Sequence, residues 1–403
     1  IGEAKVLRAY SYYELYTKFG DIPYTTKVLS IKESMSIART AKATVIANVL
    51  ADLDEVINGN YLPTSYDADN KGRITRWAAM AIKAKIYLFE GNWTQVKNIT
   101  STIMTEGGFK LFESYAGLFE IANEYNSEVI LDAQYRPTSR EHQMMYVFLP
   151  PTLGGYSQLS PLQELVDSYI MLDGKTIKET GTSFDESHPY ANRDPRLKAT
   201  VMYTGNSYTL ADGTEVVINC EKGEGKDGYG VGSDCSATGY YIKKYWDNTY
   251  RATLYSGLNP ILIRYADILL MNAEALAELG ELDKTAWDAT IKPIRDRAGF
   301  TLASALEFPE GASKDKLIEI IRNERRSELA LEGHRHKDII RWRIADNVLN
   351  GWCHGLKTND VVGTDDGYVR VENRTFNANK HYLWPIPQAE RDLNGNLEQN
   401  PNW

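Results

Sequence analysis

Between residues 40 and 57 the apolar positions repeat at intervals of three and four, which gives a helix one continuous apolar face. Gly59 and Pro63 follow this segment and should end the helix. The next two segments, at about 75–90 and 93–105, have the same pattern, and the first of them is rich in alanine. Small side chains allow neighbouring helices to approach closely, so these segments predict stacked helical hairpins.

The same pattern returns in the second half of the chain. Helices are predicted at 261–280 and 282–298, and a further long helix at 314–333. Pro293 lies inside the second of these helices and should kink or shorten it. The spacing of roughly 30-odd residues between hairpins is typical of tetratricopeptide repeats, although no tandem array is complete.

The middle of the chain, from about 150 to 259, is dense in Gly, Asp, Ser, Thr and Tyr and interrupts the helical pattern. Short alternating segments at 215–219 and 240–244 predict hairpin strands, and 128–134 predicts another short strand. The fold is therefore predicted to be mostly α-helical, with tetratricopeptide-like hairpins, a long irregular loop and a short β-hairpin insertion.

This pattern predicts a single body over residues 1–403. Its helical scaffold is formed by 1–127 and 260–345, the irregular insertion by 150–259, and a C-terminal loop region by 346–403. Loops on a rigid scaffold commonly carry binding sites, so we expect the insertion to face the ligand.

The charge balance excludes one class of partner. The chain of 403 residues carries 45 Lys and Arg against 54 Asp and Glu, a formal net charge of −9. This argues against nucleic acid, because a phosphate-binding surface needs excess positive charge. No run of about 18 apolar residues occurs, so no bilayer-spanning helix is predicted. The chain begins at Ile1 in a helical pattern, and we expect that a segment upstream, such as a signal peptide, is missing.

Neither cysteines nor carboxylates indicate a cofactor. The three cysteines lack the C-x-x-C spacing of a zinc site. Cys220 and Cys235 flank a glycine-rich loop and could form a disulfide, and two unpaired thiols are the alternative. Asp67 and Asp69 imitate the start of a calcium loop, but Ala78 occupies the twelfth position, where a bidentate Glu should stand. Calcium is therefore possible but not indicated, and no cofactor is predicted.

No pattern typical of catalysis is present, and no enzymatic activity is predicted. The sequence contains no G-x-S-x-G, H-E-x-x-H or Walker motif. The glycines at 223, 225 and 228 match the dinucleotide pattern G-x-G-x-x-G, but no convincing strand precedes them, so a flexible loop is predicted. The charged run from Glu324 to Arg341 has two interpretations, a solvated helix face or a buried Arg–Glu network, and both are structural.

Tyrosine outnumbers phenylalanine by 26 to 10. A core could use Phe without polar cost, so this excess indicates amphipathic surfaces on which rings stack and hydroxyl groups stay hydrated. Such surfaces suit sugar rings, whose C–H bonds pack on aromatic faces while amides and carboxylates bind the hydroxyl groups. The alternative is that half of these rings only pack the loops together. The predicted ligand-binding residues are Tyr240, Tyr245, Trp246, Tyr250 and Trp352 for stacking, with Asp247 and Asn248 as hydroxyl partners.

Seven motifs occur along the chain in the order in which one known family carries them. They are GEAKVLRAY with FGDIP (2–10, 19–23), RWAA with GNW (76–79, 91–93), LFESYAGLF with NSEVI (111–119, 126–130), RDPRL (193–197), RYADILL with AEA (264–270, 273–275), IRDRAG with ERR and EGHR (294–299, 324–326, 332–335), and LWPIP with QNP (383–387, 399–401). One such motif would be weak, but seven in order are specific. From end to end the chain resembles the SusD/RagB-like outer-membrane lipoproteins of Bacteroidetes.

The resemblance implies a helical body that binds nutrients at the cell surface. Such proteins are lipid-anchored on the outer face of the outer membrane and capture oligosaccharide for a SusC-like TonB-dependent transporter. In the RagB branch the cargo is peptide, so peptide or glycopeptide binding is the alternative function. Family members also carry an N-terminal segment with a lipidated Cys, which is absent here, and some ligand contacts come from that segment.

Overall fold

The helices begin and end close to where the apolar periodicity predicts them. In the computed structural model, which describes residues 1–249 and 253–403, the first predicted hairpin helix is Lys42–Asn58. The alanine-rich helix is Arg76–Phe89 and begins at Thr75, whose hydroxyl accepts a hydrogen bond from the backbone N–H of Ala78 at 3.3 Å. The third is Trp93–Glu106. All three helix predictions are confirmed.

The described residues form fifteen α-helices, four 3-10 turns and nine short strands. The helices are α1 (Gly2–Phe19), α2 (Ile31–Ser34), α3 (Lys42–Asn58), α4 (Arg76–Phe89), α5 (Trp93–Glu106), α6 (Met144–Phe148), α7 (Gln163–Ser168), α8 (Pro195–Thr200), α9 (Tyr265–Leu279), α10 (Lys284–Ala298), α11 (Ala303–Leu306), α12 (Lys314–Glu328), α13 (Arg335–Arg341), α14 (Ala345–Val348) and α15 (Gln388–Leu393). The strands are β1 (Val129–Asp132), β2 (Val201–Met202), β3 (Ser207–Thr209), β4 (Glu215–Val217), β5 (Tyr241–Ile242), β6 (Ile261–Arg264), β7 (Gly351–Lys357), β8 (Thr364–Asp365) and β9 (Tyr368–Arg374).

The second set of helices differs from the prediction at three points. The first four residues of the predicted 261–280 helix form β6, which pairs antiparallel with β1, because Ile-Leu-Ile fits a buried strand. Pro293 lies inside α10, yet this helix runs through to Ala298, so it is not shortened there. Helix α12 ends at Glu328, five residues before the predicted end at 333, and Leu331 then adopts a φ of 63°.

The chain divides into two compact units. Unit 1 comprises Ile1–Gly107, Arg335–Asn350 and Thr375–Trp403, and unit 2 comprises Gly108–His334 and Gly351–Arg374. In unit 1, α1 packs on α3, α3 on α4, and α4 on α5, as in stacked hairpins. The predicted division by role, with an insertion at 150–259 that faces the ligand, stays a prediction.

Unit 2 combines the helices α9, α10 and α12 with four small sheets. Helix α9 packs against both α10 and α12. The sheets pair β1 with β6, β2 with β5 and β3 with β4, and β9 lies between β7 and β8 in a three-stranded sheet. All of these pairs are antiparallel.

A network of buried charges forms the centre of unit 2. It comprises five cations and five anions, none with a side chain more than 7% exposed: Arg196, Lys244, Arg264, Arg295, Arg297, Glu128, Asp194, Glu324, Glu328 and Glu332. Of the two interpretations of the charged run, the buried Arg–Glu network therefore holds for its three glutamates. Eight of the ten residues lie in the sequence motifs quoted above, so these motifs build an ionic core.

The cations of this network lower the pKa of its carboxyl groups on Glu328 and Glu332. Burial alone would raise the pKa of Glu332, but Arg264 and Lys244 outweigh it and lower that pKa to about 2. In the same way Arg297, Arg264 and Arg196 overcome the burial of Glu328 and lower its pKa. Burial lowers the pKa of Lys244 to about 8, although Glu332 at 2.7 Å favours the charged form.

The three cysteines are unpaired in the structure. Cys220, Cys235 and Cys353 are free thiols, so the alternative of unpaired cysteines holds. Burial raises the pKa of the Cys220 thiol, which makes it unreactive.

Within residues 1–249 and 253–403, the helices fall short of the length and apolar character that crossing a membrane requires.

Candidate functional site

A cavity of about 900 Å³ opens in unit 2. Its walls come from the turn at 184–193, the loops at 203–205 and 220–224, and the ends of β7 and β9. Five aromatic side chains line it, namely Phe184, Tyr190, Tyr203, Tyr240 and Tyr368. This combination of aromatic and polar lining, at the upper end of the roughly 300–1,000 Å³ typical of ligand pockets, makes it the candidate site.

Two tyrosines of the cavity are stacked on each other. The rings of Tyr190 and Tyr203 lie 4.0 Å apart between centroids, with planes inclined by 17°. Tyr203 directly follows β2, and helix α8 returns the chain so that it meets Tyr190. Burial raises the pKa of Tyr190 to about 12, so its hydroxyl stays protonated at neutral pH and can donate a hydrogen bond.

Hydrogen bonds from Arg193 hold the turn that carries Tyr190 in place. The buried guanidinium of Arg193 donates to the backbone oxygens of Val166 at 2.7 Å, Tyr169 at 2.7 Å and Pro189 at 2.8 Å. These three bonds tie the turn to α7 and hold the stacked pair in place. Arg193 is therefore a positioning residue rather than a ligand contact.

Two ion pairs cross the rim of the cavity. Lys357 at the end of β7 binds Glu186 at 2.8 Å, and Lys222 binds Asp360. Each pair joins segments more than a hundred residues apart in sequence. The rim is thereby defined by contacts between three separate loops.

The strands that supply Lys357 and Tyr368 are tied to α7 through His354. Its Nδ1 lies 2.7 Å from Glu164 on α7, and its Nε2 lies 3.0 Å from Asp365 on β8. Burial lowers the pKa of His354, but the hydrogen bonds to these two carboxylates outweigh it and raise the pKa above its ordinary value. The imidazole of His354 thus bridges the helix and the sheet that flank the cavity.

Of the residues predicted from sequence, Tyr240 lines this cavity. Its hydroxyl donates to Gln163 at 2.5 Å and lies 3.3 Å from the hydroxyl of Tyr190, and only 2% of the residue is exposed. Tyr240 therefore contacts Tyr190 through its hydroxyl group, and because it is buried it does not offer a free ring face.

Four other predicted residues meet at a second cavity of about 250 Å³, namely Tyr245, Trp246, Asp247 and Asn248. Tyr245 is buried, its ring packs edge-on against Phe119, and its hydroxyl accepts a bond from the N–H of Ile261 at 3.3 Å. Trp246 is half-buried and donates from Nε1 to the backbone oxygen of Thr209 at 2.8 Å.

Within this second cavity the side chain of Asp247 closes a turn. Its Oδ1 accepts from the N–H and the hydroxyl of Thr249 at 3.0 and 2.6 Å, and its Oδ2 accepts from Ser256. Of the four predicted residues at this cavity, Trp246 and Asn248 keep part of their surface exposed, whereas Tyr245 and Asp247 are buried.

The last two predicted residues are Trp352 and Tyr250. Trp352 is 43% exposed on β7, outside both cavities, with the guanidinium of Arg370 5.6 Å from its ring. Tyr250 lies outside the described residues. The structure thus brings four of the predicted residues together and separates Tyr240 and Trp352 from them.

Sequence reasoning missed four of the five aromatic residues that line the larger cavity. Phe184, Tyr190, Tyr203 and Tyr368 are half-buried at the larger cavity, and none was predicted. Tyr203 belongs to the tyrosine-rich loop, but no spacing distinguishes it from the other rings of that loop. The nearest available signal was the position of Tyr190, three residues before RDPRL.

Comparison with known families identifies the class of protein to which this fold and cavity belong. Residues 117–403 match the model described as the SusD family, and residues 1–88 match one described as starch-binding associating with outer membrane. The first match covers well over half of the chain. The protein belongs to the SusD family, as its motifs predicted.

Individual relatives and solved structures agree with this assignment. SusD-like protein P25 of Formosa agariphila is 28% identical over 87% of this chain, and the chain spans 64% of the length of P25. A SusD-like carbohydrate binding protein from Bacteroides fragilis superposes with a TM-score of 0.87 at 29% identity, covering 99% of this chain and 79% of that one. The predicted mostly helical, tetratricopeptide-like fold is confirmed.

The fold is shared with more distant glycan-binding proteins. A laminarin binding SusD-like protein has a TM-score of 0.67 at 24% identity, over 100% of this chain and 78% of that one. Surface glycan-binding protein A from Bacteroides fluxus has a TM-score of 0.69 at 23% identity, over 100% and 77%. At these identities the likeness shows the shared fold.

Proposed function

We propose that this protein binds oligosaccharide at the cell surface and delivers it to a SusC-like TonB-dependent transporter, without catalysis. The observation that carries the proposal is the stacked Tyr190–Tyr203 pair in a cavity of about 900 Å³. Membership of the SusD family supports it, and so does the similarity to a carbohydrate binding protein from Bacteroides fragilis.

The cavity offers both kinds of contact that a sugar needs. The half-buried faces of Tyr203 and Tyr368 can pack against the C–H bonds of a sugar ring. Thr204, Thr358 and Asn359 line the same wall and can bind its hydroxyl groups. Because the rings are held by internal contacts before binding, little side-chain freedom is lost. We expect dissociation constants on the order of micromolar to millimolar, as for a shallow polar site.

The location and the partners belong to the same proposal. One matching family model is described as associating with outer membrane. We place the protein on the outer face of that membrane, anchored by lipid on a Cys upstream of the present sequence. The SusC-like transporter would receive the glycan, and binding to both partners would raise the effective affinity.

The test is Tyr203→Ala, measured by isothermal titration calorimetry against an oligosaccharide found on a glycan array. We expect binding to weaken by about 1–3 kcal/mol, on the scale of stacking on an aromatic ring. Tyr203→Phe keeps the ring face and should bind nearly as well as the wild type. Tyr125→Ala removes an exposed ring of unit 2 outside the cavity and is the matched control.

An unchanged dissociation constant in Tyr203→Ala would remove the cavity from consideration. The second cavity, with Trp246 and Asn248, would then be the next candidate. Saturable binding of peptide pools with no glycan signal would instead favour the alternative of a peptide or glycopeptide binder in a RagB-like uptake complex.

A further inference from the structure

All cations at the larger cavity are already engaged by protein groups. Lys222 binds Asp360, and Lys357 binds Glu186. Arg193 donates to backbone oxygens beneath the turn, and His188 is paired with Asp185. The positive charges of Lys222 and Lys357 are thus already partly neutralised by a carboxylate of the protein. The basic side chains that line the cavity are Arg193, Lys222, Lys357 and His188.

Two carboxylates of the cavity are, in contrast, uncommitted. Glu221 and Glu224 line the wall and are exposed, and within residues 1–249 and 253–403 neither has an ion pair. They are free to accept hydrogen bonds from sugar hydroxyl groups. With them, four carboxylates line the cavity against the three permanent cations Arg193, Lys222 and Lys357, so the lining carries one net negative charge.

The glycine pattern at 223, 225 and 228 holds these carboxylates at the cavity. The loop is closed by backbone bonds from Gly223 to Tyr229 at 3.0 Å, from Tyr229 to Cys220 at 3.2 Å and from Gly228 to Glu224 at 3.0 Å. A Cβ at Gly228 would lie 2.2 Å from the backbone oxygen of Glu224, so only glycine fits there. The motif is thus a tight turn with a positioning role.

We propose that the cavity selects neutral glycans over sulfated or uronic-acid glycans, with Glu221 and Glu224 as the residues that set this preference. The inference rests on the proposed function of the same site. A carboxylate that accepts a hydrogen bond from a sugar hydroxyl group repels a sulfate or carboxylate group of the glycan placed near it. The same pair of side chains therefore binds neutral glycans and disfavours anionic ones.

The test uses matched glycans, each neutral backbone being compared with its sulfated and its oxidised, uronic form. Laminarin oligosaccharides are one example. In titrations at about 20 mM salt, the neutral form should bind more tightly than the anionic form, by about three-fold or more for each anionic group near the wall. In about 1 M salt, where the screening length falls to roughly 3 Å, this ratio should approach one.

Variants separate a local from a global charge effect. Glu221→Gln combined with Glu224→Gln should raise affinity for the anionic forms about three-fold or more, without improving binding of the neutral form. Glu113→Gln combined with Glu310→Gln makes the same change in net charge at exposed positions away from the cavity and should leave the ratio unchanged.

The outcomes distinguish this inference from the proposed function. Suppose that binding depends on Tyr203 but that the anionic form binds as tightly as the neutral form, or more tightly. This result would overturn the preference for neutral glycans and leave the proposal of glycan binding intact. An equal effect of both double variants assigns discrimination to net charge and overturns the role of Glu221 and Glu224. Absence of any Tyr203-dependent glycan binding overturns both proposals.

Discussion

Replacement of Arg264 by Met should severely destabilise unit 2. All five N–H groups of this buried guanidinium donate hydrogen bonds. Nε and Nη2 donate to Glu332 at 2.8 Å, Nη1 donates to Glu128 at 2.7 Å and to Glu328 at 2.6 Å, and Nη2 also donates to the backbone oxygen of Glu328 at 2.7 Å. Methionine fits a similar volume but leaves three buried carboxylates without their shared cation.

The size of the loss follows from what remains around those carboxylates. At an effective dielectric constant of about 20, one Arg–carboxylate contact is worth roughly 4 kcal/mol before desolvation. Arg297 still contacts Glu128 and Glu328, and Lys244 still contacts Glu332. We therefore expect a net loss of about 3–5 kcal/mol, the range for breaking a buried pair, rather than the sum of three contacts.

The measurement is hydrogen–deuterium exchange in increasing urea, read on peptides from α9 and α12, because this gives the free energy of opening for unit 2 itself. The control is Arg370→Met, which breaks an exposed pair with Asp365 in the same unit and should cost at most about 1 kcal/mol. If Arg264→Met changed the opening free energy by no more than this control, the buried network would not stabilise the fold in the way described.

Two further results are expected. Trp246→Ala should weaken glycan binding by about 1–3 kcal/mol if the second cavity contributes a stacking face, with little change in Tm, and titration of the array-selected oligosaccharide checks this. Because the pKa of His354 is raised in the folded state, its stabilising contribution is complete below the ordinary value of about 6.5 and is lost as the pH rises through the raised value. The Tm advantage of wild type over His354→Gln should therefore shrink as the pH rises from about 6.5 through the raised pKa of His354, and a constant difference would contradict the bridge.

The helical part of the fold could be predicted because its signal is local. The apolar faces of α3 and α5 are set by residues three and four apart, and the ends of these helices are marked by glycine at 59 and 107. Predictions failed where tertiary pairing competed with periodicity. Residues 261–264 became a strand because β1 was available as a partner, which the periodicity of that segment does not encode.

The site could be predicted only as a kind of chemistry. The excess of tyrosine correctly indicated aromatic surfaces, but ring exposure depends on neighbours far away in sequence. Tyr240 is covered because Gln163, 77 residues earlier, meets its hydroxyl. Tyr203 is half-buried and lines the larger cavity while its ring stacks on Tyr190, a residue 13 positions earlier.

The sequence by itself determined the family, the helical scaffold and the abundance of aromatic and acidic side chains, since motifs and periodicity are properties of the chain alone. The tertiary structure decided which glutamates of 324–332 lie in an ionic core and which tyrosines line a cavity. The physical reason is that burial and pairing require groups from distant segments, such as Glu128 and Arg264, to be brought within hydrogen-bonding distance, at 2.7 Å in this case.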